Sequence, residues 1–180
     1  MKSEDISRRS FLKRAAALSA AAAIPSFWIP SKANAMPGVP FVSANEKVRI
    51  AFIGIGNRGG EIAQELYKTG LCEVVALCDV DMGAPHTQKL ISMFPKVPRF
   101  QDFRQMFDKM ADKIDAVTVG VPDHAHFPIT IEAMAHGKHV YVEKPMARTF
   151  QEIEVMMRAE KKFGVVTQMG NQGHSEANYF

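Results

Sequence analysis

The sequence predicts an α/β fold of the Rossmann type, a doubly wound parallel sheet, and two observations carry that expectation. Apolar runs of strand length alternate with amphipathic helical segments from Val48 to Met169, the pattern of right-handed βαβ units whose sheet is covered on both faces. The first run, Val48 to Ile53, leads into Gly54-Ile55-Gly56-Asn57-Arg58-Gly59, a G-x-G-x-x-G turn placed where such a sheet receives a phosphate.

The elements follow in order. Val48 to Ile53 is almost unbroken apolar, as a strand buried on both faces requires. In the turn, Gly54 suits a tight bend, Gly56 lets the backbone approach a pyrophosphate, and Gly59 lets the next helix pack closely on its strand. The first N–H groups of that helix then face the phosphates. The helix spans about Arg58 to Thr69, with Ile62, Ala63 and Leu66 on one face and Gly70 ending it. Glu73 to Cys78 forms the second strand and closes on Asp79, 20 residues after Gly59. A carboxylate there bonds both hydroxyls of an adenosine ribose and repels a 2′-phosphate, so NAD is favoured over NADP. Asp81 can share that role, and capping of the next helix is the simpler alternative for Asp79.

A helix from about Ala84 to Phe94, a short strand at Arg99-Phe100 and a helix from Asp102, as N-cap, to about Met110 make the next unit. Asp115 to Val121 is a strand stopped by Pro122, followed by a helix running to Gly137 as its C′ residue. His139 to Val142 is the fifth strand. Thr149-x-x-Glu152 is a capping box that opens a helix with Ile153, Met156, Met157, Glu160 and Phe163 at helical spacing. Its methionines read as core. Val165 to Met169 is the sixth and last strand.

Two further stretches fall at the carboxyl edge of the sheet, where ligands of such folds bind. In Pro122-Asp123-His124-Ala125-His126, Asp123 suits a helix N-cap and His126 suits contact with cofactor or substrate. No accompanying Cys/His cluster supports a metal. In Glu143-Lys144-Pro145, proline raises the chance of a cis bond that fixes where the lysine points. Lys144 is either an ordinary surface lysine or a group that stabilises a developing alkoxide.

Charge separates the first 35 residues from the rest: six basic and two acidic side chains there, against sixteen and seventeen in the remainder. The remainder is near neutral and bears no nucleic-acid footprint. Ser7-Arg8-Arg9-Ser10-Phe11-Leu12-Lys13 resembles a twin-arginine export signal, and Ala15 to Ile24 supplies a short apolar region. Ala33-Asn34-Ala35 places cleavage after Ala35, so the expected location is the periplasm. Pro25 and Pro30 interrupt the apolar run, which is short for the about 20 residues of a membrane span, and no stable anchor is expected. Residues 36–46 read as a linker. Cys72 and Cys78 bracket a strand, too far apart for the about 7 Å a disulfide allows; two free thiols are expected, with Cys78 buried.

The glycine turn, Cys78-Asp79-Val80-Asp81, Val121 to His126, Gly137 to Pro145 and Thr167-Gln168-Met169-Gly170-Asn171-Gln172-Gly173-His174 stand here in order. Together they resemble the glucose-fructose oxidoreductase, inositol dehydrogenase and rhizopine-catabolism family, Gfo/Idh/MocA, over about residues 47 to 175. The resemblance implies an NAD(P)-dependent oxidoreductase acting on a secondary hydroxyl or ketone of a sugar, cyclitol or glycoside. Lys144 carries over as the catalytic lysine. Gly54, Gly56, Asn57, Arg58, Gly59, Asp79, Pro122, His126 and Glu143 carry over as cofactor contacts. Family members continue into a second α/β domain that brings the substrate pocket, the oligomer contacts and an Asp-x-x-x-His pair whose histidine accepts the proton. Only residues 176–180 are left for that domain, so the sequence reads as the dinucleotide-binding part of such an enzyme, homo-oligomeric when full length. Two rivals remain: an NAD-dependent redox-assisted glycosidase, whose known examples lack a clear Glu-Lys-Pro box, and a non-catalytic nucleotide-binding module. An exported enzyme of this kind is expected to fold around its cofactor before passing the twin-arginine machinery, and to retain and recycle it.

Overall fold

The computed structural model describes residues 47–171. The expected leader, its cleavage site, the linker and the residues from 172 onward lie outside the described residues. Six parallel strands form one sheet: β1 (Val48–Ile53), β2 (Cys72–Cys78), β3 (Arg99–Phe100), β4 (Ala116–Val119), β5 (His139–Glu143) and β6 (Thr167–Gly170). Their spatial order is β3-β2-β1-β4-β5-β6. The first three strands wind outward one way from β1 and the last three the other, leaving a switch between β1 and β4, the doubly wound arrangement expected from the alternation. The intervening helices are α1 (Asn57–Lys68), α2 (Gln88–Met93), α3 (Phe103–Met110), α4 (Asp123–Ala135) and α5 (Phe150–Phe163).

Alternation along the strands builds two cores. Ala51 and Ile53 of β1, Val117 and Val119 of β4, and Val140 and Val142 of β5 point to one face, under Met106 and Phe107 of α3, Ile129 and Ala133 of α4, and Met156 of α5. Ile50 and Phe52 point to the other, with Leu77, under Ala63 of α1 and Leu90 and Ile91 of α2. The β1–β2 register shifts between Ile50 and Ala51, so Val75 and Ala76 turn to the same face; an extra residue in one strand bends it and turns its later side chains. Both cysteines are free and buried. Burial pushes the Cys78 thiol up to about 12, with Asp79 adding to the rise.

Caps explain where the helices start and stop. Asp102 accepts a hydrogen bond from the Arg104 N–H at 2.9 Å, the expected N-cap of α3. Thr149 accepts from the Glu152 N–H at 3.2 Å, while the Glu152 carboxylate reaches back to the N–H of Arg148 rather than of Thr149. Gly164 closes α5 at φ 64°. Three expectations are corrected. Asp123 is the first residue inside α4 and makes no capping bond, Pro122 occupying the cap position; an acidic side chain there still complements the helix dipole. The helix expected over 84–94 shortens to Gln88–Met93, because Asp81, Gly83 and Ala84 form successive hydrogen-bonded turns. Met156 is core, but Met157 is 55% exposed.

Candidate active site

The site begins where β1 ends. The Gly54 N–H donates to the Cys78 carbonyl at 2.8 Å, and the Gly120 N–H to the Ile53 carbonyl at 2.8 Å, so the turn sits between the ends of β2 and β4. Gly54 has φ +79°, and a Cβ on it would lie 2.8 Å from Cγ1 of Val121. A Cβ on Gly59 would meet the carbonyls of Gly54 and Gly120, and one on Gly120 would lie 2.6 Å from Cα of Gly59. Backbone meets backbone at this crossing, so nothing larger fits. Asn57 takes φ 42°, a left-handed conformation that asparagine tolerates better than most residues.

Above the turn lies a cavity of about 680 Å³, in the crevice at the switch between β1 and β4. Its walls include the glycine turn, Asp79 and Asp81 after β2, and Gly120 and Pro122 after β4. Asp79 does more than line it: Oδ2 accepts from the N–H of Ile55 at 2.9 Å and Oδ1 from the N–H of Asp81 at 3.0 Å. One carboxylate therefore ties the phosphate turn to the loop after β2. A bare glycine turn, a helix N-terminus with its unpaired N–H groups and an acidic group at the neighbouring strand end are the features a dinucleotide needs, and the residues present fit it.

Comparison with known proteins decides the family. Residues 48–171 match the family model for GFO_IDH_MocA, described as an oxidoreductase family with an NAD-binding Rossmann fold. The chain belongs to the Gfo/Idh/MocA oxidoreductase family. It is 30% identical over 164 residues to an alpha-N-acetylgalactosaminidase of Shewanella oneidensis, covering 82% of this chain and 35% of that protein. Among solved structures it is similar to myo-inositol 2-dehydrogenase from Lactobacillus plantarum, at TM-score 0.61 and 26% identity over 69% of this chain and 36% of that one. It is also similar to GenD2 from gentamicin A biosynthesis in complex with NAD, at TM-score 0.62 and 25% identity over 73% and 37%. The chain thus spans about a third of the length of the curated relatives it matches. Its cofactor is NAD.

In this Gfo/Idh/MocA domain Arg58 stands on the cavity wall, while Glu143, Lys144 and His126 lie off it. Arg58, from the first turn of α1, donates through Nε to Oε1 of Glu143 at 3.2 Å and through Nη1 to Glu61 at 3.2 Å. Burial draws the Arg58 pKa down, but these bonds outweigh it and hold the guanidinium above its ordinary value. Glu143 is 4% exposed and lies beneath Arg58 rather than on the cavity wall. Its Oε2 accepts from the N–H of Lys144 at 3.2 Å, and that N–H also reaches the carbonyl of Gly170 at 3.1 Å. The Lys144–Pro145 bond is cis. Lys144 itself is exposed at the carboxyl edge and makes no ion pair with a described residue.

His126 is the main correction. Expected at the cofactor, it is instead 1% exposed and absent from the cavity wall, which His124 reaches from the same helix. The physical reason is helical geometry: residues two apart on α4 face different directions. His126 points inward and pairs Nδ1 with the carbonyl of Pro145 at 2.6 Å, while Nε2 is buried with no partner among the described residues. A carbonyl only accepts, so Nδ1 carries the proton and the ring braces the turn that bears Lys144. The sequence reading also missed Gly120, His86, Gln101 and Phe103, all at the cavity. Gly120 carried a signal, a glycine at the end of an apolar strand. The others are brought in by loops whose course no local pattern announces.

Proposed function

We propose that this chain is the NAD-binding part of an enzyme that oxidises, or in reverse forms, a secondary hydroxyl of a sugar, cyclitol or glycoside. The observation that supports it is the meeting on one sheet edge of a cavity holding Asp79 and a braced turn carrying Lys144. Bound NAD supplies the hydride acceptor. The glycine turn and the first turn of α1 hold its diphosphate. Asp79 keeps acceptor capacity on both oxygens for the adenosine ribose, and its charge disfavours the 2′-phosphate of NADP. Pro122 and its neighbours bound the nicotinamide end. Lys144 donates through Nζ to the reacting oxygen and stabilises the negative charge that develops as its proton leaves. The proton passes to the histidine of the Asp-x-x-x-His pair that the family resemblance implies for the full-length enzyme.

The test is Lys144→Ala in the full-length enzyme. Turnover is expected to fall by about a hundredfold or more, with NAD affinity within about twofold because the lysine lies off the cavity wall. Undiminished turnover would remove Lys144 from the mechanism.

The alpha-N-acetylgalactosaminidase relative favours a second reading. In it the same hydride transfer is transient: the ketone acidifies its neighbouring C–H, the glycosidic bond breaks by elimination, water adds, and the hydride returns. Both readings share the residues above and part after the ketone. Release of aglycone with no net NADH selects the glycosidase; stoichiometric NADH selects the dehydrogenase. Export by the twin-arginine route belongs to the same proposal and is supported by Arg8 and Arg9 in their motif. Replacing both with lysine is expected to leave the protein in the cytoplasmic fraction.

A further inference from the structure

The second glycine of the turn keeps a patch of backbone bare so that a diphosphate can approach. In this molecule something already approaches it. A Cβ built on Gly56 would fall against Cδ2 of His86 and lie 2.9 Å from its Nε2. His86 comes from the loop between β2 and α2, lines the same cavity, and is exposed.

The loop holds the backbone of His86 in place and leaves the ring free. Thr87 beside it is fully buried, its Oγ1 donating to the carbonyl of Ala84 at 2.8 Å and its N–H to the same carbonyl at 3.1 Å. The Ala84 N–H donates to the carbonyl of Asp81 at 3.3 Å, and Asp79 ties this loop to the glycine turn. No hydrogen bond joins the His86 ring to another described residue. Arg58, the cationic side chain at this end of the cavity, is engaged by Glu61 and Glu143. Beside Gly56 the cradle therefore has backbone N–H groups and the His86 ring at hand, and no uncommitted guanidinium among the described residues.

We propose that His86 is a diphosphate ligand of the NAD site: its ring turns off Gly56 about Cα–Cβ as the phosphates settle, and Nε2–H donates to a phosphate oxygen there. Nε2–H is available in the neutral ring as well as in the imidazolium. The group recognised is a nucleoside diphosphate, whether in NAD, ADP-ribose or ADP. The inference rests on the NAD reading and adds a contact from outside the glycine fingerprint.

The experiment is calorimetric titration of the purified chain with NAD, ADP and adenosine, for the wild type, His86→Ala and His86→Gln. His86→Ala is expected to weaken NAD and ADP about tenfold, the scale of one hydrogen bond to a charged group, and to leave adenosine within about twofold. Glutamine, whose amide nitrogen reaches about where Nε2 does, is expected to recover most of the loss. Thermal melts of the three proteins are expected to coincide, since the ring is exposed. If His86→Ala binds ADP as well as or better than the wild type, the ring is an obstruction and the proposal is overturned. An equal loss with adenosine overturns it too, by placing the contact on the nucleoside. A wild-type chain that binds none of the three overturns the NAD reading itself, an outcome distinct from either.

Discussion

The two edges of the sheet are built from the same strands and do opposite things. At the amino edge, the carboxylate of Asp115, before β4, accepts from the N–H of Arg49 at 2.9 Å, from its Nε at 3.0 Å and from its Nη2 at 2.6 Å. Lys138, 7% exposed, adds a buried positive charge nearby. Three donors from Arg49 converge on the Asp115 carboxylate there. At the carboxyl edge, three glycines bring backbone against backbone, the first turn of a helix borders a cavity, and the exposed lysine and histidine are uncommitted among the described residues. A saturated cluster holds strands together; unsaturated groups on a fixed frame can bind. The contrast teaches that stability and function have been placed at opposite ends of β1 and β4.

Substitutions at the two ends sharpen or break that division. The largest stability loss is expected for Asp115→Ala, about 3 kcal/mol by chemical denaturation, at the low end for breaking a buried ion pair because Arg49 is partly exposed. Its NAD affinity, measured on the folded protein, is expected within about twofold of wild type; a parallel loss of binding would show that the edges are coupled. Burial pushes the Asp115 carboxyl up, but the bonds from Arg49 outweigh it and hold the group below its ordinary value of 3.8. A carboxyl depressed on folding stabilises above its unfolded pKa, and that contribution is lost as pH falls through the folded value. Acid unfolding of the wild type below about pH 4 is therefore expected to be steeper than that of Asp115→Ala.

At the other edge, Gly120→Ala drives a Cβ to 2.6 Å from Cα of Gly59. About 2 kcal/mol of stability is expected to go, together with most NAD binding, because the crossing of turn, helix and strand must open. Unlike the amino-edge variant, this one strikes function and stability together. Asp79→Ala is expected to cost about 1–2 kcal/mol by leaving two backbone N–H groups without their acceptor, and to weaken NAD about tenfold by titration. The smallest effect is that of His126. Removing its donor in His126→Ala is expected to cost about 1 kcal/mol more than His126→Asn, whose amide nitrogen lies close to the place of Nδ1 and keeps the bond to Pro145. Equal melting temperatures for the two would show that the brace does not depend on that hydrogen bond.

Most of the frame was legible because its signals are local. The apolar run Val48 to Ile53, the glycine turn, the N-caps Asp102 and Thr149 and the terminator Gly137 each act through backbone geometry within a few residues. The site was legible to the extent that it sits in such motifs. Gly54, Gly56 and Gly59 could be placed from spacing alone, and Asp79 from its strand end. The failures are where a side chain had to choose a direction. His124 and His126 are indistinguishable in sequence, and only the packing of α4 on the sheet turns one to the cavity and the other to Pro145. The short start of α2 was hidden because turns at Asp81 to Ala84 compete with the helix, and they are anchored by Asp79, which holds Asp81 locally and reaches Ile55 across 24 positions.

By itself, then, the chain's order of residues determined the alternation of strands and helices, the doubly wound class and the place of the phosphate turn, since periodicity and backbone freedom are properties of short stretches. The tertiary structure decided the rest: that Asp79 locks the glycine turn, that Gly120 is the third member of the crossing, that Glu143 lies under Arg58, and that His86 rests on Gly56. Each of these joins residues 24 to 85 positions apart or groups from different loops, and a contact of that kind exists only once the sheet has fixed the distance between them.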